Sequence, residues 1–449
     1  MEQNAKNQTI VALSTPNLIG AISIVRMSGD NALNIADKVF VSKGKKPSEF
    51  EPRKLELGTF TADQFKEKCM CAVFIAPFSY TGENIVEFQL HGGLKIAEGI
   101  IRTCIKNGAR LATNGEFTKR AFMNGKMTLA SAEGMMDMIN AESEAEIRAG
   151  YNLLDGELSK LASSAQNELT DLLSDIEVSF DYPEETIEYV TKVAVKNKLT
   201  ALHEKISKVL ESASTGKLLK NGVNVLILGK PNAGKSSLLN CLLAYDRAIV
   251  TDIAGTTRDT IEDTFTINGT KFNIIDTAGI RDTSDKVEKI GVDKAKSLIA
   301  GADIIIYVKD ATSKDSKEDK DIQGLIGDKK HITVLNKSDV AQNIKPKNDE
   351  IVISALNNTG ISELKDKLYK LSNTDASLHS SIIITNERHK EALSRANKSI
   401  ENALENINMS LDLISIDIKL AYSALGEITG NTTGEDIIDA IFSKFCLGK

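Results

Sequence analysis

The sequence predicts a multidomain protein that combines α/β domains with a largely helical one. The chain has 449 residues, which suggests about three domains of roughly 150 residues each. Between 224 and 356, short β-branched runs alternate with amphipathic stretches, the pattern of a largely parallel sheet covered by helices. Apolar residues at helical spacing lie on both sides of this region. We therefore expect the central α/β domain to be inserted into a helical domain.

Composition and charge exclude several classes of protein. Apolar residues make up 41% and charged residues 26% of the chain, as in globular proteins and unlike collagenous, disulfide-scaffold or disordered ones. The net charge of −7 argues against an autonomous nucleic-acid binder with a basic stripe. The five cysteines are odd in number and scattered, and no apolar run approaches the roughly 18 residues of a membrane span. With no signal-peptide pattern at the N-terminus, we expect a cytoplasmic protein.

The first 125 residues predict a mixed α/β domain. Four runs have the β-branched content of strands, and a longer run has helical spacing. The strand-like runs are TIVALST, AISIVRMSG, CAVFIAPFS and NIVEFQLHGG, and the helical run is LKIAEGIIRTCIKNG.

Two proline-poor stretches predict long helices, because an interior proline costs a helix about 3 kcal/mol and this chain has only seven prolines. The first stretch is interrupted near Pro183, and the second is C-terminal. One-sided apolar stripes must pack on other helices, so we expect both stretches in one domain. The positions are Leu154, Leu158, Leu161, Ala165, Leu169, Leu172 and Ile176, then Leu199, Leu202, Ile206 and Val209, and finally Leu393, Ile400, Leu404, Ile407 and Leu411.

A phosphate-binding loop is predicted at GKPNAGKSS (229–237), which follows a strand and opens a helical run. It matches G-x-x-x-x-G-K-[ST], whose backbone N–H groups surround phosphates. Lys235 would place its charge at the β- and γ-phosphates, and Ser236 would ligate Mg²⁺. The alternative is a glycine-rich turn before a helix. The nucleotide-contacting residues predicted here are Asn232, Ala233, Gly234, Lys235, Ser236 and Ser237.

Three further motifs, each at the end of a strand, predict guanine as the base. Asp276 would hold the metal through water and the Gly279 N–H would meet the γ-phosphate. The Asp339 carboxylate would accept both N1–H and the exocyclic amine of guanine, a donor pair that adenine lacks. A backbone N–H of the 354–356 segment would reach guanine O6. The residues are Asp276, Thr277, Ala278 and Gly279, then Asn336, Lys337, Ser338 and Asp339, and then Ser354, Ala355 and Leu356.

The segment TDIAGTTRD (251–259) is the candidate switch loop, with Thr256 or Thr257 as second hydroxyl ligand of Mg²⁺. Many Ras-like enzymes orient the attacking water with a Gln directly after the glycine of the second motif. Here that residue is Ile280, so another group must act if hydrolysis is to be fast. Glu288 is a nearby carboxylate, although its position also suits a surface helix residue. The switch residues predicted to contact nucleotide are Thr251, Asp252, Ile253, Ala254, Gly255, Thr256 and Thr257.

Taken together, the chain resembles the MnmE (TrmE) family of tRNA-modification GTPases from end to end. The nucleotide motifs are common to many GTPases, whereas the N-terminal blocks and the C-terminal FCLGK are far more specific. The segments that carry the resemblance are TIVALSTP, ISIVRMSG, SYTGENIVEFQLHGG, GEFTKRAFMNGKMTLASAEGMMDMI, GTTRD, DTAGIR, TNERH, ALGEITG and FCLGK.

The resemblance implies an activity and a domain organisation. A cytoplasmic homodimer would act with the flavin-dependent partner MnmG (GidA) on the wobble uridine of certain tRNAs. An aminomethyl or carboxymethylaminomethyl group would be added at C5, with 5-formyl- or methylene-tetrahydrofolate as one-carbon source and GTP hydrolysis required. The implied domains are a folate-binding and dimerisation domain (1–122), two helical parts (123–217 and 378–449) and an inserted Ras-like P-loop GTPase domain (218–377).

The resemblance also implies ligand sets and a catalytic residue. GTPase domains of this family dimerise around K⁺, a cation placed as an arginine finger would be. By motif, Glu288 corresponds to the water-orienting glutamate. K⁺ would be held by Asn232, Thr251, Ile253 and Thr256, Mg²⁺ by Ser236 and Thr257, and folate by Arg26, Glu87, Lys126 and Lys449. From the residues alone, these folate positions would be interpreted as surface charges.

Two other classes of function are compatible with parts of the sequence. A GTP-regulated assembly factor, for instance for ribosomes, would share the apolar residue at Ile280, but it gives no reason for the N-terminal blocks or FCLGK. A membrane-associated GTPase would need an anchor. The C-terminal CLGK only superficially resembles a prenylation signal, because Gly448 is not aliphatic.

Overall fold

The structure is a computed structural model, and it confirms the predicted combination of α/β and helical domains. The chain divides into two compact units, Met1–Met136 with Gly426–Lys449, and Asp137–Leu425. The structure describes residues 8–181, 192–245, 261–275, 292–313, 316–342, 344–347, 349–372 and 382–448.

The first unit is built on a seven-stranded sheet of order β3-β4-β5-β6-β2-β1-β7. Its neighbours are antiparallel except β1 and β7, which run parallel. The strands are β1 (Ile10–Leu13), β2 (Ile22–Ser28), β3 (Phe40–Val41), β4 (Glu56–Thr61), β5 (Lys66–Phe74), β6 (Ile85–His91) and β7 (Arg110–Leu111). The helices are α1 (Ala32–Val39), α2 (Leu94–Lys106), α3 (Glu116–Met123), α4 (Leu129–Ile139), which continues into the second unit, and α15 (Glu435–Phe442).

Alternation along the strands buries one apolar face of this sheet against α1 and α2. Val25, Met27 and Phe88 are fully buried there, and the rings of Phe60 and Phe88 meet edge to face with centroids 5.0 Å apart. A second cluster forms where α15 packs on α3, with Leu129, Phe442 and Phe445 buried. The C-terminal residues therefore belong to the core of the first unit.

The second unit contains the predicted α/β domain, a six-stranded sheet of order β13-β12-β11-β8-β10-β9. All neighbouring strands are parallel except the β9–β10 hairpin. The strands are β8 (Val223–Gly229), β9 (Ile261–Ile267), β10 (Thr270–Ile275), β11 (Ile304–Asp310), β12 (His331–Asn336) and β13 (Glu350–Val352). Its helices are α9 (Lys235–Tyr245), α10 (Val292–Gly301), α11 (Lys317–Ile326) and α12 (Ile361–Ser372).

The flanking helices bury the apolar stripes that the sequence predicts. Helices α7 and α13 pack side by side, with Leu199, Ile206, Leu393 and Ile400 all fully buried. The helices are α5 (Glu144–Leu154), α6 (Glu157–Asp181), α7 (Lys192–Glu211), α8 (Ala213–Asn221), α13 (Glu387–Glu405) and α14 (Leu411–Thr429). Among the described residues, no helix combines the length and apolar character that a bilayer crossing requires.

Two predicted helical stripes are each divided into two helices. Leu154 ends α5, and Gly156, with φ +85°, turns the chain before α6 begins. In the C-terminal stripe, α13 ends at Glu405 and α14 begins at Leu411, so Ile407 lies in the connection. The predicted interruption around Pro183 lies outside the described residues.

The β9–β10 hairpin contacts the first turn of α5 within the second unit. Gly269, at the tip with φ +76°, accepts a hydrogen bond from the Ala145 N–H at 3.3 Å. Lys271 forms an ion pair with Glu142. β9 begins at Ile261 just after the predicted switch loop, and β10 ends at Ile275 just before the second motif. The hairpin thus lies between the two segments predicted to contact nucleotide, and it contacts the helical part.

Candidate functional sites

The phosphate-binding motif lies where the prediction places it, between β8 and α9 at the carboxyl end of the sheet. Asn232 has φ +63° and Gly234 has φ +91°, so the loop turns through two left-handed positions. A Cβ added to Gly234 would lie 2.1 Å from Nδ2 of Asn336. Only glycine therefore allows the loop to approach the third nucleotide motif this closely.

Lys235, the first residue of α9, directs its ammonium group into the loop. Its Nζ donates to the carbonyl oxygens of Gly229 at 2.9 Å and Lys230 at 2.8 Å. Burial lowers the pKa of this amine, since the charged form loses hydration. An anionic phosphate in the loop would restore the lost stabilisation of the charge, which suits a binding lysine.

Asn336 ties the phosphate loop to the segment predicted to contact the base. It is 2% exposed, and its Nδ2 donates to the Ala233 carbonyl at 2.9 Å. Its Oδ1 accepts the Ala355 N–H at 3.0 Å. Both halves of its amide are therefore satisfied. The Ala355 N–H, which belongs to the segment predicted to reach guanine O6, thus donates to Asn336 in this structure.

Asp339, the carboxylate predicted to recognise the base, is held in place by a neighbouring hydroxyl. Ser354 Oγ donates to Oδ1 of Asp339 at 2.5 Å. This bond joins two of the predicted motifs and orients the carboxylate. Leu356 is 80% exposed, so its apolar side chain is available to cover one face of a bound base.

Lys337, in the same motif, adopts φ +66° and forms an ion pair with Asp310 at 2.6 Å. Burial opposes the ionisation of Asp310, but hydrogen bonds from Lys337 and Thr312 outweigh it and lower the pKa of the carboxyl. Asp310 stays charged and restrains Lys337 beside the predicted base site. Asp310 was not predicted from the sequence, although its position at the end of β11 was a usable signal.

The remaining predicted nucleotide and metal residues lie outside the described part of the chain. These are the switch residues Thr251, Asp252, Ile253, Ala254, Gly255, Thr256 and Thr257, the second motif Asp276, Thr277, Ala278 and Gly279, and the candidate catalytic Glu288.

A second candidate site is a cavity of about 320 Å³ in the first unit. Arg26 and Glu87 are opposite each other on the antiparallel strands β2 and β6. Arg26 Nε donates to Oε1 of Glu87 at 2.7 Å, and its guanidinium lies 5.6 Å from the ring centre of Tyr80. The residues lining the cavity are Arg26, Phe74, Tyr80, Ile85, Glu87 and Met135.

This cavity combines apolar walls with one paired charge, as small-molecule sites commonly do. The other two predicted folate positions are less directly placed. Lys126 is exposed, and its side chain passes close to Gly82. Lys449 lies outside the described residues, but Gly448 accepts a hydrogen bond from Ser14 Oγ at 3.1 Å. Ser14 follows β1, whose Ala12 pairs with Arg26, so the C-terminal segment reaches the strand next to the cavity.

Known protein families cover both units. Residues 129–446 match the MnmE helical domain, and residues 9–126 match the N-terminus of the GTP-binding protein TrmE. The tRNA modification GTPase MnmE of Clostridioides difficile (strain 630) is 42% identical over 459 residues, which span 99% of each chain. The protein of that name from Alkaliphilus metalliredigens (strain QYMF) is 41% identical, again over 99% of each chain.

The chain belongs to the tRNA modification GTPase MnmE family. The relatives are matched over their whole length, so the membership includes the N-terminal and helical parts as well as the nucleotide motifs. Among solved structures, the G domain of the T. maritima FeoB iron transporter aligns with 34% of this chain at 24% identity and a TM-score of 0.26.

Proposed function

We propose that this protein binds and hydrolyses GTP and couples the hydrolysis to modification of tRNA at C5 of the wobble uridine. The observation that carries the proposal is the connection of three nucleotide motifs around one buried amide. Asn336 contacts the phosphate loop and the Ala355 backbone, while Ser354 orients Asp339. The family and its relatives' name support the coupling to tRNA.

In the proposed site, this chain's residues bind and orient the nucleotide. The phosphate-loop N–H groups and Lys235 hold the phosphates, and Asp339 accepts from guanine. Ser236 is the second residue of α9, next to Lys235, which suits it as a Mg²⁺ ligand with Thr257. Glu288 would orient the attacking water. Mg²⁺ would neutralise charge on the phosphate oxygens. The proposed K⁺ ligands are Asn232, Thr251, Ile253 and Thr256. Of these, only Asn232, at φ +63° in the loop, lies in the described part of the chain.

The K⁺ proposal predicts a large salt effect on hydrolysis. In KCl we expect GTP to be hydrolysed at least tenfold faster than in NaCl of the same ionic strength, because a cation near the γ-phosphate replaces an arginine finger. Steady-state phosphate release by the full-length protein measures this. GDP affinity in the two salts is the control and should change little. Equal rates in KCl and NaCl would refute the K⁺ role.

The cavity of the first unit is proposed to bind a reduced folate. A pterin has the same amide-plus-amine donor edge as guanine and suits a carboxylate acceptor, and Glu87 retains acceptor capacity because a carboxylate has about four lone-pair sites. Arg26 and the aromatic ring of Tyr80 supply a cation and a flat apolar surface. Lys126 and Lys449 would pair with the anionic glutamate tail.

Glu87→Ala is expected to weaken binding of 5-formyltetrahydrofolate by at least tenfold, because the pterin donors lose their acceptor and Arg26 is left unpaired. Equilibrium dialysis or calorimetry measures the affinity. Glu67→Ala is a matched control, since Glu67 pairs with His91 on the same sheet at 2.6 Å and does not line the cavity. Undiminished affinity in Glu87→Ala would refute the role of Glu87.

The proposed partners are tRNA, the flavin-dependent protein MnmG (GidA) and a second copy of this chain. With a net charge of −7, we expect the chain alone not to hold tRNA tightly, so MnmG is proposed to supply much of the RNA affinity. A homodimer is proposed because K⁺-activated hydrolysis in this family involves paired GTPase domains. The site of action is proposed to be the cytoplasm.

A further inference from the structure

A buried carboxylate lies directly behind the phosphate loop. Asp319, in the first turn of α11, is 3% exposed. Its Oδ1 accepts the phenol of Tyr307 at 2.6 Å, and its Oδ2 accepts the N–H of Ser316 at 2.7 Å. Oδ2 also forms an ion pair with Lys230, the residue after the first glycine of the loop. The carboxylate therefore connects β11, α11 and the loop.

Lys230 occupies a position that shapes the loop from within. Its own carbonyl oxygen accepts the Nζ of Lys235 at 2.8 Å and the N–H of Ala233 at 3.3 Å. Its side chain runs the other way, where Nζ meets Asp319 and donates to Ser316 Oγ at 2.9 Å. One residue thus links the buried carboxylate to the phosphate-binding lysine.

A cavity of about 90 Å³ lies between the loop and β11, and both Lys230 and Asp319 line it. Without its charged anchor, the side chain of Lys230 would have room to move. The ion pair therefore restrains the Lys230 side chain beside this cavity.

The anchor is a stable charge at neutral pH. Burial opposes ionisation of Asp319, but hydrogen bonds from Lys230, Tyr307 and Ser316 outweigh it, and the pKa of the carboxyl is well below its usual range. A buried ion pair that loses one partner leaves an uncompensated charge. The pair is therefore expected to open rarely in the intact protein.

We propose that Asp319 is a positioning residue for nucleotide binding, which acts through Lys230 to hold the first turn of the phosphate loop in its binding shape. The inference rests on the GTP binding proposed above. It assigns to Asp319 no contact with the nucleotide. Its effect is transmitted from the carboxylate to Lys230, and from the Lys230 carbonyl to Lys235 and the Ala233 N–H.

The expected signature is a change in affinity with little change in turnover. Loop N–H groups contact the α- and β-phosphates, which GDP and GTP share and which do not react. Lys230→Met and Asp319→Asn should each raise the Kd of both nucleotides about tenfold and raise KM equally. The kcat should change less than about threefold, because the lost interaction is present in ground and transition states alike.

The experiment uses full-length protein with fluorescent GDP and GTP analogues in MgCl₂ and KCl, together with steady-state hydrolysis. Asp303→Asn is the matched control. Asp303 accepts the Asn224 N–H at 2.8 Å at the start of β8, away from the phosphate loop and from the groups around Asp319, so this variant should leave Kd unchanged. The double variant, Lys230→Met with Asp319→Asn, should bind nucleotide no more weakly than the single variant with the higher Kd, because both changes break the same connection.

Several outcomes would overturn the inference. They are an unchanged Kd in either single variant, an additive loss in the double variant, and an equal loss in Asp303→Asn, which would mark a general weakening of the domain. A fall in kcat at constant KM would also contradict it. These outcomes are distinct from failure of the proposed function, in which the intact protein itself would bind neither GDP nor GTP.

Discussion

Asp339→Asn is expected to weaken GTP binding a hundredfold or more and to create affinity for xanthosine triphosphate. The Asp339 carboxylate can accept both N1–H and the exocyclic amine of guanine, and Ser354 Oγ fixes its orientation through a 2.5 Å hydrogen bond. In the variant, the NH₂ group of Asn would face the exocyclic amine of guanine, and two donors cannot form a hydrogen bond. Xanthine has a carbonyl in place of that amine, so it offers the acceptor that the new amide needs.

Competition binding with GTP and xanthosine triphosphate measures this change of base preference. Asp303→Asn is the matched control. Asp303 accepts the Asn224 N–H at 2.8 Å at the start of β8, so it lies at the amino end of the strands, opposite the predicted nucleotide site. The control should retain its preference for guanine. If Asp339→Asn still preferred GTP with undiminished affinity, the assignment of the base site would be wrong.

Lys235→Ala should lower kcat/KM for GTP by at least a hundredfold. It removes the cation that we propose to meet the β- and γ-phosphates, where negative charge accumulates during phosphoryl transfer. Burial lowers the pKa of Lys235 because its ammonium group is poorly hydrated. A phosphate would replace the missing hydration and should therefore be attracted strongly. Phosphate release over a range of GTP concentrations separates the losses in kcat and KM.

Lys329→Ala is a close control for Lys235→Ala. The Nζ of Lys329 also donates to two backbone carbonyls, those of Ala300 and Ala302, each at 3.0 Å. It lies just before β12, away from the carboxyl ends of the strands. Hydrolysis should be unaffected in this variant. Similar losses in both variants would mean that lysine–carbonyl contacts stabilise the domain, not that Lys235 acts on phosphate.

The α/β domain was predictable because its strands are short, β-branched and bounded by polar motifs. The run IIIYVKD matches β11 over 304–310, and NVLILGK is displaced by one residue from β8. In a parallel sheet buried on both faces, local pattern and tertiary environment agree. Each motif comes directly after a strand, and parallel strands end on the same side of a sheet. The order of the elements therefore predicted that the motifs lie together at the carboxyl ends of the strands.

Apolar periodicity predicted the helices but not their ends. Leu154 and Leu158 continue one stripe, yet Gly156 separates α5 from α6, because a glycine in the left-handed conformation ends a helix without changing the apolar spacing. Likewise Ile407 fits the stripe but is buried in a connection between helices. A stripe reports which residues face a core, not whether the backbone between them is continuous.

Two polar contacts behind the sites had no signal in the sequence. Asp319 is one of three acidic residues in SKEDKD, and only the fold places it between Tyr307 and Lys230. Arg26 and Glu87 were identified from the family resemblance, whereas their pairing follows from the register of β2 and β6. Long-range side-chain partners depend on tertiary structure, which composition and spacing do not encode.

The central claim is that nucleotide hydrolysis by this chain supports tRNA modification, and tRNA nucleosides test it most directly. Mass spectrometry of tRNA from cells with the intact gene, a deletion, and a deletion complemented by Lys235→Ala or Glu288→Ala compares the C5-modified wobble uridines. We expect these nucleosides to disappear in the deletion and to stay absent with Lys235→Ala or Glu288→Ala, while Lys329→Ala restores them. Unchanged wobble uridines in the deletion would contradict the account.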